Sequence, residues 1–208
     1  VQLNWLVKHY LDNIKIVETT DFIGYSKEHG VYVFNDRAVS AGKVIEINDE
    51  DFFEVGKTSI KSLNQSLNLH IGDATDYNDK WADMVYSAYG AKGLIATAFF
   101  MGSLFAEQIR EKQKSFPFLE IVGEAGAGKS TLIEFLWKLV GRSDYEGFDP
   151  NKSTLAARAR IFSQVSNLPI CLIESDREDS AKARQFDWDE LKTAYNGRAS
   201  RARGVKNG

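Results

Sequence analysis

Nine consecutive residues restrict this chain more than any others. Gly123-Glu124-Ala125-Gly126-Ala127-Gly128-Lys129-Ser130-Thr131 stands between two apolar runs, 118–122 and 132–140. The pattern G-x-x-x-x-G-K-[ST] needs a strand to deliver the loop and a helix to leave it, and the two runs suit those roles. The glycines free the backbone to turn inward, so that amide N–H groups approach phosphate oxygens with no side chain in the way. A helix opening near Gly128 adds the positive end of its dipole at the same point. Lys129 is then expected to reach the β- and γ-phosphates of a nucleoside triphosphate, Ser130 to ligate magnesium, and Thr131 to lie near the α-phosphate. The expected cofactors are ATP and Mg2+.

A phosphate loop alone hydrolyses nothing, so a second acidic element is needed. Leu168-Pro169-Ile170-Cys171-Leu172-Ile173 runs into Glu174-Ser175-Asp176, 45 residues beyond Lys129. An apolar strand ending in an acid beside the loop can hold the magnesium shell, with a neighbouring acid to position water. Glu174 takes the first role. Ser175 cannot act as a base, which leaves Asp176 as the candidate for water activation, beside Lys129 and Glu174 in the catalytic set. The plain alternative is a strand that ends in surface acids.

Residues 198–208 carry Arg198, Arg201, Arg203 and Lys206 and no acid, in a protein of net charge -3. Such a segment contacts a nucleic-acid backbone, sends an arginine to a neighbouring subunit's γ-phosphate, or is simply solvated. The overall charge means that any basic surface is local. Cys171 is the single cysteine, which excludes a disulfide framework and suits a reducing compartment. His9, His29 and His70 are scattered, with no second ligand at metal spacing. No basic stretch followed by an apolar core opens the chain, so no signal peptide is expected. It starts without Met, which suggests a piece of something longer. The apolar stretch 93–106 is too short for a membrane span of about 20 residues and is expected to be a buried helix. A cytoplasmic protein without a membrane partner is the expectation.

Upstream of the loop, Leu3, Leu6, Val7, Tyr10, Leu11 and Ile14 have helical spacing. Residues 31–34, the turn pair Asn35-Asp36, Ala38-Val39, Gly42 and 44–47 predict a small antiparallel meander. Residues 55–78 are polar and turn-rich. The stretch from 81 to about 114 predicts two helices broken near 90–93 and ended by Pro117. Ser153 or Thr154 can cap a helix running to about 165, and 189 to about 195 predicts a short helix. The expected fold class is α/β: a partial P-loop NTPase core, a parallel sheet with flanking helices, preceded by a mixed α+β region. The expected divisions are 1–78, an accessory region holding the meander; 79–115, a helical connector; and 116–208, the NTPase module, truncated at its C-terminal end.

The loop, the acid-ended run and the spacing of Leu191, Lys192, Gly197, Arg198 and Arg201 together resemble the compact ring helicases of phages, plasmids and satellites. These are the superfamily 3 type and the related primase-associated helicase domains, whose motor belongs to the AAA+ class. The matching stretches are 123–131, 170–176 and 191–206. The resemblance implies an ATP-driven DNA helicase or translocase motor of a mobile element, a ring at full length, with the last stretch facing a central channel and touching DNA. This piece alone is expected to be a monomer or a dimer with weak hydrolysis. Two departures stand out: the usual Asp-Glu pair is Glu174-Ser175 here, and the family's asparagine strand would lie beyond Gly208. A nucleotide-gated regulatory or defence ATPase stays open, favoured by Glu174-Ser175. A small-molecule kinase is disfavoured by the long region before the loop.

Overall fold

The computed structural model describes residues 2–12, 14–64, 69–70, 72, 75, 77–143, 147–173 and 186–195. The chain divides into two compact units, 1–66 and 67–208.

The first unit begins with helix α1 (Gln2–Asp12), as the apolar spacing predicts. Its Leu3, Trp5, Leu6, Val7, Tyr10 and Leu11 are all exposed. The meander is present as β2 (Ile23–Ser26), β3 (Val31–Val33), β4 (Arg37–Ser40) and β5 (Lys43–Glu46), each antiparallel to the next. Ala41 and Gly42, with φ of 50° and 75°, form the two-residue turn between β4 and β5, the left-handed pair that matches strand twist in a tight hairpin. A second sheet was not foreseen. In it β7 (Thr58–Ser62) lies between β1 (Glu18–Thr20), parallel to it, and β6 (Phe53–Val55), antiparallel to it. Ile60 is the one apolar residue of β7, and it is fully buried. Val31, Val33 and Ala38 of the meander meet Phe53 and Ile60 of the second sheet in one core. Burying the Val, Phe and Ile side chains of this core contributes about 1.5–3 kcal/mol each.

The second unit holds α2 (Trp81–Ser103), α3 (Ala106–Gln113), α4 (Lys129–Leu139), α5 (Leu155–Ser163), a 3-10 turn (Trp188–Leu191) and α6 (Lys192–Tyr195). The break expected near 90–93 is a kink at Gly90, with φ 61° and ψ -151°. Thr154 caps α5, its hydroxyl accepting from Ala157 N–H. Leu132, Leu136 and Trp137 of α4 pack with Ala96 and Phe100 of α2. Only one face of the 93–106 stretch is buried, since Leu94 and Ile95 are exposed. Among the described residues no single helix is long and apolar enough to cross a membrane.

The two expected strands of this unit differ from the prediction. Residues 118–122 form no strand, and 168–173 contributes a single parallel bridge, Phe148 to Leu172. A strand is defined by its ladder partners, and among the described residues 118–122 has none. Its side chains still alternate: Leu119 and Ile121 pack on the α4 cluster, while Phe118 and Val122 face solvent. The expected connector 79–115 falls in the same compact unit as the loop.

Candidate nucleotide-binding site

The loop is shaped by two of its three glycines. Gly126 and Gly128 have φ of 78° and 79°, values that side chains with a Cβ rarely tolerate. Gly123 carries no such demand, and a Cβ there would meet only Ala127 and Lys129 at 3.7 Å, an ordinary contact. Ala127 N–H donates to Glu124 O at 3.2 Å and closes the turn between them. The Lys129 ammonium donates to Gly123 O and Glu124 O, both at 2.7 Å. Its charge therefore sits against the loop it belongs to.

Helix α4 starts at Lys129 without a side-chain cap, and Gly128 O accepts its first helical bond from Leu132 N–H at 2.9 Å. The first-turn amides have no intrahelical acceptors and carry the positive end of the helix dipole. Ser130 and Thr131 are exposed on that turn. Among the described residues, a further side chain reaches the loop. The Tyr89 hydroxyl donates to Gly128 O at 3.2 Å. Sequence reasoning passed over it, although a glycine directly after it inside a helical pattern was a signal of local strain.

The second apolar run is drawn to the same helix. Cys171 packs on the α4 cluster together with Leu119 and Ile121, so both runs flank α4. Phe148 N–H donates to Cys171 O at 3.1 Å, and Ile173 N–H to Phe148 O at 2.9 Å. Gly147 permits this approach, because a Cβ there would stand 2.6 Å from Cys171 O. At the start of the run, buried Asn167 accepts from Glu107 N–H at 2.8 Å and donates to Gln108 Oε1 at 2.7 Å. It serves as the cap that α3 lacks in its own sequence.

Glu174 and Asp176 lie outside the described residues, as do Arg198, Arg201, Arg203 and Lys206. The turn before the basic segment is described. Phe116 N–H donates to Tyr195 O at 3.0 Å and Arg110 to Ala194 O at 3.1 Å, so Tyr195 lies beside the lead-in to the loop. Burial holds the Arg110 pKa below its ordinary value, with Glu107 opposing. Lys192 is raised by its hydrogen bond to Asp189.

In the first unit, Glu18, Glu28 and His29 bring possible ligand atoms within 4.8 Å of one another, a grouping that the sequence spacing did not suggest. There His29 Nδ1 is 2.7 Å from Ser26 Oγ, and Nε2 is 2.6 Å from Glu18 Oε2, so the histidine is tied within its own fold. Comparison with known proteins finds no match for this chain, whether among family models, curated proteins or solved structures.

Proposed function

We propose that this chain binds the phosphates of ATP, with magnesium, through residues 123–131, and serves as the ATP-hydrolysing motor of a DNA helicase or translocase. The observation that carries the binding half is the loop itself. Two left-handed glycines, Gly126 and Gly128, shape it from within, the Lys129 ammonium lies over its carbonyls, and a helix with no side-chain cap opens behind it. The parallel bridge between Phe148 and Leu172, and the packing of both apolar runs on α4, suit a sheet edge beside such a loop. In this reading Ser130 and Glu174 hold the magnesium shell and Asp176 positions water. Arg198, Arg201, Arg203 and Lys206 meet the nucleic acid or a neighbouring subunit's γ-phosphate. The motor half rests on the resemblance to the AAA+ ring helicases of mobile elements, with assembly into a ring and a cytoplasmic setting. Ser175, in place of a second acid, favours a second reading as a nucleotide-gated regulatory ATPase.

Calorimetric titration of MgATP into the wild type and Lys129→Ala tests the binding half. Charge-assisted hydrogen bonds contribute about 1.5–3 kcal/mol each, so the variant is expected to bind roughly tenfold more weakly or worse with its fold intact. Equal affinities would remove the loop from the proposal. Stimulation of phosphate release by DNA separates the motor from the regulatory reading.

A further inference from the structure

The peptide that joins Gly128 to Lys129 has two ends with different partners. A trans peptide is planar, and its C=O and N–H point in opposite directions. The C=O end is held twice, by Leu132 N–H at 2.9 Å and by the Tyr89 hydroxyl at 3.2 Å. The N–H end belongs to Lys129 in the first turn of α4, where no intrahelical acceptor exists. Whatever fixes the Gly128 carbonyl therefore fixes the direction in which Lys129 N–H is presented.

Tyr89 is delivered to this place by an unusual piece of helix. Gly90, next to it, has φ 61° and ψ -151°, a region open in practice to glycine alone. The kink folds the chain so closely that a Cβ on Gly93 would stand 2.5 Å from the Tyr89 Cβ. The Tyr89 ring in turn lies on Gly128, where a Cβ would be 3.3 Å from the hydroxyl oxygen and 3.4 Å from Cε1. Gly93 and Gly128 thus make room for one tyrosine at the loop, and Gly90 permits the kink.

We infer that Tyr89 is a positioning residue for the phosphate loop: its hydroxyl locks the Gly128–Lys129 peptide so that Lys129 N–H faces a bound phosphate, and the Gly90 kink brings it there. This rests on the proposed nucleotide-binding role. A backbone donor works on a phosphate oxygen only when it is aimed at it, and the side-chain amine of Lys129 cannot replace a fixed amide.

Tyr89→Phe keeps the ring and removes only the O–H donor. The wild type and this variant are titrated calorimetrically with MgATP and with inorganic tripolyphosphate, a probe without base or sugar. Both affinities are expected to fall about three- to tenfold, the net worth of one hydrogen bond. The 31P resonances of bound ATP should also shift from their wild-type positions, beside the small fall in the nucleotide-free thermal midpoint that loss of the bond to Gly128 O brings by itself. A lower midpoint with wild-type affinities and an unshifted 31P spectrum would make Tyr89 a packing residue and overturn the inference. If the variant also loses stability, the 31P spectrum, which reports folded molecules with nucleotide bound, still decides. A wild type that binds neither probe overturns the nucleotide-binding proposal itself, and this inference with it.

Discussion

Glycine is used in this chain for two separable reasons, and the difference is measurable. At Gly30 the φ of 64° is the whole demand, since nothing lies within 4 Å of where a Cβ would be. At Gly147 a φ of 148° coincides with a Cβ position 2.6 Å from Cys171 O. Left-handed backbone costs an L-residue roughly 1–2 kcal/mol, so Gly30→Ala should lose about that much. Gly147→Ala must also push two backbone segments apart, and its expected loss is larger, above about 2 kcal/mol. Urea denaturation of the two variants checks this, and equal losses would mean that the Phe148–Cys171 contact yields freely. Most of the loop was legible at this scale because glycine, lysine and serine at fixed offsets state a backbone shape directly. Tyr89 was not legible, because its role depends on a contact 39 residues away that no spacing rule describes.

Helices α1, α4 and α5 follow from apolar spacing, a phosphate-loop start and a Thr154 cap, all local signals. The sheet of β1, β6 and β7 escaped because Glu18–Thr20 and Thr58–Ser62 are short and mostly polar, and their pairing joins residues 42 apart, Glu18 with Ile60. The reverse error arose at 118–122, where a correct alternation implied a ladder that a strand cannot supply by itself. Asn167 shows another limit of local reading, since it caps a helix 60 residues away. Asn167→Ala leaves Glu107 N–H without that partner and frees the start of the 168–173 run. A loss of about 1–2 kcal/mol is expected. Exchange of the Glu107 amide should quicken along with it, and unchanged protection there would show that another protein acceptor replaces the cap.

For the molecule as a whole, the two units have separate cores, one built on Ile60 and its neighbours and the other on Leu136 and Trp137. Truncation of a fully buried aliphatic side chain costs about 2–5 kcal/mol. Ile60→Ala should therefore lower amide protection across 18–62, and Leu136→Ala across the helices of the second unit. Hydrogen exchange resolved along the chain makes the comparison. Loss of protection throughout the chain from either change would mean that the two cores unfold as one. The candidate site was legible to a smaller extent than the fold. The glycine-lysine-serine loop is compact in sequence, whereas the proposed roles of the acids and the basic segment rest on offset and resemblance alone.

Lys129 has a consequence for the speed of ligand capture. Its ammonium bridges the carbonyls of Gly123 and Glu124, which draws the two ends of the loop together. On the proposed reading, an arriving phosphate would exchange one set of partners for another and would order no chain. Capture on these terms would be limited by collision and electrostatic steering, and so fast and sensitive to salt. Discrimination among nucleotides would then be left to how long each one stays.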